Sequence, residues 1–341
     1  MGLPACAKVD RFSKLHFRRK GGKAGAYRVA AIRTMTQILA LVVFWLGLEQ
    51  QAGTAFPDAH ASSLKVDHGS VCGADLEAMQ QAFAEGGLKT EYGGAHANGV
   101  THMALLGFED GSYLELIAPQ RAGAVEGSDW AKFMAANAGA CAWAVAVADI
   151  GSEVARLRGS GVKAEGPFPG SRKRPDGTVL QWQTARVGSG TPGATLPFLI
   201  QDKTPRSLRV QPSASLKGSG LTGIAMVVLG VTDLDAATTL FQQAYGWLPP
   251  LHEKHKEFGA KMAHFSGTPV VLAAPLDNGS WLAERLEQFG ESPVALMLGT
   301  QDFDSAVDRF KLSQQTVWFG RRVAWFNSER LGGVRLGVVG Q

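Results

Sequence analysis

Four stretches of the chain share one order of apolar and polar positions: an apolar strand, an acidic residue, an amphipathic helix, and then a group of apolar strands. The acidic residue stands where a helix N-cap is expected, because an Asp side chain accepts hydrogen bonds from the free N–H groups of the first turn. These predicted caps are Asp75, Asp149, Asp233 and Asp302. The pattern predicts an α+β fold of four β-α-β-β-β modules, repeated in pairs.

Breaks in this pattern divide the chain into four regions. Residues 1–61 contain no such unit, residues 62–202 hold the first two modules, and residues 221–341 hold the second two. Between the pairs, residues 203–220 are rich in Pro, Ser, Gly and basic residues, a composition that predicts a linker.

The first 61 residues have the order of a secretory signal. A basic flank leads into an apolar run from Ile38 to Leu48, and small residues with Ala-x-Ala-like sites follow. The run is shorter than the ~20 residues of a full membrane span. We therefore expect a protein that is exported to the periplasm or secreted, or that touches the membrane only through this N-terminal anchor. A buried helix of a cytoplasmic protein is the alternative.

Charge is unevenly distributed along the chain. Residues 1–61 carry nine Lys or Arg and three acidic residues, a local charge of +6, although the net charge of the whole chain is +4. Residues 62–341 hold 25 basic and 27 acidic residues, a charge of −2. The predicted modules are thus mildly acidic, and nothing in their charge predicts nucleic-acid binding.

The chain has three cysteines, which is too few for a disulfide framework. Cys6 lies in the N-terminal region, so Cys72 and Cys141 remain within the predicted modules. Two buried thiols are the favoured interpretation. A bridge between them is the alternative if the chain is exported.

One carboxylate interrupts an otherwise apolar strand. Residues 101–119 read THMALLGFEDGSYLELIAP, two apolar runs around a Glu-Asp-Gly turn, with Glu115 in the middle of the second run. A buried carboxylate must be paired, hydrogen-bonded, protonated or bound to a metal. A two-residue turn would pair Glu115 with Leu106 and leave His102 about 13 Å away on the same face. A one-residue shift would turn His102 to the opposite face, so in neither register do His102 and Glu115 share an ion.

These segments resemble the glyoxalase-like branch of the vicinal oxygen chelate superfamily. The resemblance rests on the module repeat, the Asp67-His68 pair in the first strand, residues 101–119, and two segments of the second module, SRKRPDGTVLQWQ (171–183) and LPFLIQ (196–201). It covers about residues 63–202, whereas the second module pair matches only through the module pattern. The resemblance implies that paired modules form cupped, mostly antiparallel sheets around a small-molecule site.

Metal-using members of the superfamily hold a divalent ion in that cup. Carried over by position, His68 matches the first-strand ligand and Glu115 the last-strand ligand of the first module. The resemblance thus implies that they act as metal ligands or as catalytic base and acid, and this donor pair suits Fe(II), Mn, Ni, Zn or Co. The same alignment places Ala142 and Phe198 at the corresponding positions of the second module, where neither can ligate. Further ligands left open by the sequence are His96, Gln181 and Gln201.

Candidate substrate-binding residues lie in the second module. Arg172 and Arg174 precede a Pro-Asp-Gly turn near the expected mouth of the cup, where they would attract a carboxylate or phosphate. Trp182 and Phe198 would supply an aromatic wall. The alternatives are a solvated basic face for the arginines and ordinary core packing for the aromatic rings.

Two classes of function follow, and the sequence leaves open whether the chain is an enzyme. The first is a metal-dependent lyase, isomerase or dioxygenase that acts on a small oxygenated molecule through His68 and Glu115. The second is a metal-free protein that binds or sequesters such a molecule in the same cup. The intact His68–Glu115 pair favours the first class, and the absence of ligands at Ala142 and Phe198 favours the second.

Overall fold

The computed structural model describes residues 64–341. The signal or anchor prediction for residues 1–61 lies outside this range. Within it, no helix combines the length and apolar character needed to cross a membrane.

The described chain contains four β-α-β-β-β modules, as predicted. The first module consists of β1 (Lys65–Cys72), α1 (Leu76–Glu85), β2 (Glu91–His96), β3 (Thr101–Gly107) and β4 (Tyr113–Pro119). A short helix α2 (Ala131–Ala135) leads to the second module, formed by β5 (Gly139–Ala146), α3 (Ile150–Gly159), β6 (Ala164–Lys173), β7 (Val179–Val187) and β8 (Phe198–Asp202). A one-turn helix α4 (Arg206–Arg209) and a 3-10 turn (Ala214–Leu216) follow.

The second module pair repeats this order. Its third module consists of β9 (Leu221–Gly230), α5 (Leu234–Tyr245), β10 (Leu251–His255), β11 (Ala260–His264) and β12 (Val270–Pro275). After α6 (Trp281–Phe289), the fourth module consists of β13 (Ser292–Thr300), α7 (Phe303–Phe310), β14 (Ser313–Trp318), β15 (Arg321–Trp325) and β16 (Leu336–Gly340). Each of the four predicted Asp caps accepts a backbone N–H hydrogen bond from the first turn of its helix, so those predictions are confirmed.

The first module pair forms a closed sheet in the order β1-β4-β3-β2-β6-β7-β8-β5. Each module's first and last strands run parallel, and the remaining pairs are antiparallel, so the sheet is mostly antiparallel as predicted. The two modules join where β1 pairs with β5, and again at a short seam between β2 and β6. This closure encloses the cup that holds the candidate site.

The second module pair forms an eight-stranded sheet in the order β10-β11-β12-β9-β13-β16-β15-β14. Its interior is filled by apolar side chains, and Met226, Val271 and Ala295 are fully buried in one cluster with Trp318. Val271 pairs with Val228 just as Glu115 pairs with Ser70, so Val271 and Met226 occupy the positions equivalent to Glu115 and His68. Ala295 pairs with Val228 as Ala142 pairs with Ser70, so it is the equivalent of Ala142. The two sheets pack closely, because a Cβ at Gly69 of β1 would lie 2.7 Å from Leu296 of β13.

The favoured interpretation of the cysteines is wrong. Cys72 and Cys141 form a disulfide with a Cα–Cα distance of 5.9 Å, and both are buried. They meet because β1 and β5, the first strands of the two modules, are antiparallel neighbours. That adjacency is a property of module pairing, which the spacing of the cysteines does not reveal.

Of the two registers that the sequence left open for the β3–β4 hairpin, the structure has the shifted one. Glu115 pairs with Leu105, and the hairpin closes through a hydrogen bond from Phe108 N to Ser112 O. The loop thus contains three residues and ends at a glycine with φ of 83°, a conformation that favours glycine. In this register His102 lies on the outer face of the sheet, where the centroids of its ring and the Tyr92 ring are 6.0 Å apart.

Candidate functional site

The closed sheet surrounds a cavity of about 310 Å³. Most of its wall is apolar or aromatic, formed by Met103, Leu105, Tyr113, Trp130, Trp182, Phe198 and Ile200. Its polar lining includes His68, His96, Thr101, Glu115, Arg172, Thr184 and Arg209. A mostly apolar pocket with a few convergent polar groups is typical of a small-molecule site.

His68 lies on β1 with its ring held on three sides. Its Nδ1 is 2.7 Å from the Oδ1 of Asp67. Its ring stacks on that of Tyr113 with a centroid distance of 4.7 Å, and the ring of Phe198 packs edge to face with a centroid distance of 5.3 Å. Burial alone would raise the pKa of Asp67, but the hydrogen bond from His68 and the charge of Arg209 hold it well below its usual range. Because the ionised Asp67 can only accept, His68 Nδ1 carries a proton, and its Nε2 is turned toward Glu115.

Two arginines from the predicted linker hold Asp67 in place. Arg209 is only 4% exposed, and its Nη1 and Nη2 lie 3.0 and 2.8 Å from the two carboxylate oxygens of Asp67. Its Nε binds Asp202 at 2.6 Å, and its Nη1 also binds the hydroxyl of Tyr113 at 2.7 Å. Arg206 adds a further ion pair to Asp67. Residues 203–220 therefore do more than connect the module pairs, and their composition gave no signal of these contacts.

Glu115 lies between two imidazoles. Its Oε2 is 3.7 Å from His68 Nε2 and its Oε1 is 3.5 Å from His96 Nε2, while Ser70 donates a hydrogen bond of 3.0 Å to Oε2. Burial alone would raise the pKa of Glu115, but the hydrogen bond from His96, the charges of both histidines and the Ser70 hydroxyl lower it to about 2. Glu115 is therefore an ionised carboxylate in a buried strand.

His96 is the further polar group that reaches Glu115. It ends β2, and its Nδ1 is fixed by Thr101 Oγ1 at 2.8 Å, which leaves Nε2 facing the carboxylate. In sequence it was one of three open candidates, since a histidine in a Gly-rich stretch has no periodicity that fixes its face. The other two candidates, Gln181 and Gln201, do not line this cavity. The side chain of Gln201 instead binds the backbone at Ile150 and Ala148.

The second module has apolar residues at the positions that match His68 and Glu115. Ser70 pairs with Glu115 in the first module just as Ala144 pairs with Phe198 in the second. Phe198 therefore stands at the position equivalent to Glu115, and Ala142 is fully buried on the inner face. The polar cluster comes from the first module, and the second module supplies the aromatic wall.

The predicted substrate-binding residues divide into two groups. Arg172, Trp182 and Phe198 line the cavity, although Arg172 lies in its wall and is not at an exposed mouth. Arg174 is outside it: its guanidinium contacts Leu208 O at 3.2 Å and Asp176 at 3.4 Å, and it borders a neighbouring groove.

The cluster formed by His68, His96 and Glu115 has the types of donor atom that bind a divalent metal. Two imidazole Nε2 atoms and one carboxylate are ligands for Fe, Mn, Ni, Zn or Co, and in each ring the other nitrogen is already held by a neighbouring group, as in many metal sites. Two donors at ~2.1 Å from one ion are roughly 3.0–3.5 Å apart, so the observed 3.5 and 3.7 Å lie at or just beyond that range. As they stand between residues 64 and 341, no three or more His, Cys, Asp or Glu side chains are placed so that they could hold a metal ion, so metal binding would require His68, His96 and Glu115 to move closer together.

Comparisons with known proteins agree with the fold. The family model described as a glyoxalase-like domain matches residues 66–245. A hypothetical protein from Staphylococcus aureus is 13% identical, with 82% of this chain and 100% of that chain covered and a TM-score of 0.51. A mutant of 4-hydroxymandelate synthase from Streptomyces coelicolor is 12% identical, with 82% and 92% covered and a TM-score of 0.53.

A methylmalonyl-CoA epimerase from Mycobacterium tuberculosis is 23% identical over 36% of this chain and 89% of that chain, with a TM-score of 0.33. No protein of curated function matches the sequence. The two structures that span most of the chain show its fold alone, while the family match covers more than half of the sequence. The chain belongs to the glyoxalase-like domain family of the vicinal oxygen chelate superfamily.

Proposed function

We propose that the cup of the first module pair is the active site of an enzyme that acts on a small oxygenated molecule, as a lyase, isomerase or dioxygenase. In this proposal His68, His96 and Glu115 hold a divalent metal ion, one of Fe, Mn, Ni, Zn or Co. The observation that carries it is the convergence of two imidazole Nε2 atoms on one ionised carboxylate.

This convergence calls for a positive charge between the groups. When His68 is neutral, its proton is on Nδ1 beside Asp67, so a lone pair on Nε2 faces the negative oxygen of Glu115. Like charges and lone pairs in a buried site repel, and either a proton on an imidazole or a metal cation removes that repulsion.

The pKa of Glu115 favours a role as ligand over a role as general base. A base is most effective when its pKa lies near the working pH, and a carboxylate with a pKa of about 2 takes up a proton poorly at neutral pH. As a ligand it would remain charged, and the Asp67 carboxylate behind His68 would orient that imidazole toward the same point. A bound divalent ion would supply Lewis acidity toward an oxygen of the substrate.

Metal analysis of the purified protein tests this proposal. We expect close to one transition-metal ion per chain, and loss of that ion in His68→Ala, His96→Ala and Glu115→Gln. The matched control is His102→Ala, because His102 lies in the same module but on the outer face of the sheet. A wild-type protein without bound metal, whose melting temperature ignores added Zn, Mn, Co, Ni or Fe(II), would refute the metal-dependent form.

A metal-free protein that binds or sequesters a small molecule is the second candidate. It is favoured by Ala142 and Phe198, which leave the second module without a ligand. In this case a ligand would bind the cup without turnover, and binding would persist after chelation. Turnover that survives chelation but is lost in His68→Ala would instead identify an acid–base enzyme.

We also propose that the protein is exported or anchored through its N-terminus. The signal-like pattern of residues 1–61 supports this, and so does the Cys72–Cys141 disulfide, because such bonds persist mainly in oxidising compartments. Cell fractionation combined with thiol labelling of the denatured chain tests it. Recovery in the cytoplasm with both thiols free would contradict the proposal.

A further inference from the structure

Arg172 is a buried guanidinium in the wall of the cup. It lies on β6, is only 4% exposed, and donates hydrogen bonds to two backbone carbonyls, those of Gly93 and Arg209. Both acceptors are neutral, and together they use two of the five N–H groups that a guanidinium carries. The side chain is thus fixed in position while part of its hydrogen-bonding capacity is unused.

The charge of Arg172 has no paired carboxylate in the described chain. Arg209 is equally buried, yet it is paired with both Asp67 and Asp202, whereas no Asp or Glu between residues 64 and 341 forms an ion pair with Arg172. Burial lowers the pKa of Arg172, because desolvation disfavours the charged form, and the negative charge of Glu115, which is not in contact with it, offsets only part of that effect. A guanidinium starts so high that it stays charged at neutral pH. An unpaired buried charge is costly, and an anion brought by a ligand would remove that cost.

The position of Arg172 places such an anion next to the polar cluster. At the β2–β6 seam Arg172 is the direct register partner of His96, so the two side chains share the inner face with their Cβ atoms about 5 Å apart. Arg172 and the His96–Glu115 contact line the same cavity, whose remaining wall is mainly apolar and aromatic. A molecule held by Arg172 would thus have its body against aromatic rings and its nearest atoms beside His96.

We propose that Arg172 anchors the carboxylate of the substrate, and that the substrate class is a small monocarboxylate with an apolar or aromatic body. This inference rests on the proposed function in that it concerns the same cup. A carboxylate fits the planar fork of a guanidinium through two parallel hydrogen bonds, a geometry that neither an amide nor an amine reproduces. A cavity of about 310 Å³ lies at the lower end of the range for ligand pockets, which suits a small molecule with one anionic group.

Calorimetric titration with matched probes tests the proposal. The probes are benzoate and phenylacetate, their neutral amides, benzylamine, and inorganic phosphate, each titrated into the full chain. We expect the carboxylates to bind at least about tenfold more tightly than the amides, as for a charge-assisted pair in a partly dry site. Arg172→Gln should abolish that preference, and Arg172→Lys should keep only part of it. Arg174→Gln is the matched control, since Arg174 lies two positions along the chain and does not line the cup, although both arginines border the neighbouring groove.

The outcomes separate this inference from the proposed function. The carboxylate preference should persist in His68→Ala, because Arg172 makes it without the metal cluster, so loss of metal alone leaves the inference standing. Any one of four results would overturn it. The wild type binds acid and amide equally, or it prefers phosphate to carboxylate. Alternatively, the carboxylate preference survives in a folded Arg172→Gln, or no probe binds at millimolar concentration. If Arg172→Gln fails to fold, Arg172→Lys carries the test, and an unchanged preference there also counts against the inference.

Discussion

Replacing Glu115 by Gln should remove a pH-dependent part of the stability of the fold. The substitution keeps the shape of the side chain but removes the charge that His96, His68 and Ser70 stabilise. Because the folded-state pKa is below the ordinary value, Glu115 contributes stability that is fully present above about pH 4.5 and is lost as the pH falls toward about 2.

The size of the effect follows from the two pKa values. A fall from 4.5 to about 2 corresponds to about 3 kcal/mol of stabilisation while both histidines are charged. About 2 kcal/mol of this is lost between about pH 5 and about pH 3, where the unfolded carboxylate is already protonated and the folded one is not. The wild type should therefore lose about 2 kcal/mol more than Glu115→Gln over that interval.

Urea unfolding followed by tryptophan fluorescence measures this difference, with a chelator present so that no metal binds the cluster. Glu165→Gln is the control, because the Glu165 side chain is half exposed and pairs only with Lys163 at the surface. If wild type and Glu115→Gln lose the same free energy of unfolding between the two pH values, Glu115 is not held ionised by its histidine neighbours and the account of the cluster fails.

Three further predictions concern the frame around the site. Serine at both Cys72 and Cys141 should lower the unfolding free energy by about 4 kcal/mol, because the bridge closes a loop with a sequence separation of 69; free thiols at these positions in the denatured wild type would contradict this. Arg209→Ala should cost about 3 kcal/mol in urea unfolding, since it leaves a buried aspartate short of its partner, and Arg209→Lys should recover part of the loss; equal values for the two variants would argue against a charge effect. Gly107→Ala should cost about 2 kcal/mol in the same assay, because a Cβ there would clash with the backbone oxygen of Gln211. Gly159→Ala is the control, since a Cβ at Gly159 meets open space. Equal stability of the two variants would mean that residues 203–220 are not packed as described.

The predictions that were confirmed depend on short stretches of sequence. Asp75 and the other three caps act within one helical turn, so their identity and position are enough to predict them. The acidic interruption in β4 was likewise visible, because the apolar run that it interrupts lies within a single strand. The register of the hairpin between β3 and β4 stayed open, since both a two-residue and a three-residue loop suit the Glu-Asp-Gly turn.

The features that the sequence analysis missed or left open depend on contacts between distant segments. Arg209 meets Asp67 across 142 positions, and Cys72 meets Cys141 across 69. His96 reaches Glu115 only because β2, β3 and β4 are neighbours in a closed sheet. No local periodicity reveals such contacts, so the arginine partners of Asp67 could not be predicted from the sequence, and His96 stayed one of three open candidates beside Glu115.

By itself the sequence determined the module, its four copies and the buried carboxylate Glu115, which are set by hydrophobic period, capping and residue type over a few positions. The family resemblance added His68 as the partner of Glu115. Only the tertiary structure decided which groups complete that pair. Closing the sheet brought His96 to the carboxylate, placed Arg172 opposite His96 without an ion-paired carboxylate, and folded Arg209 against Asp67. The physical reason is that electrostatic and hydrogen-bonding contacts depend on distance in space, and the order of the strands in the sheet, not their order in the chain, sets those distances.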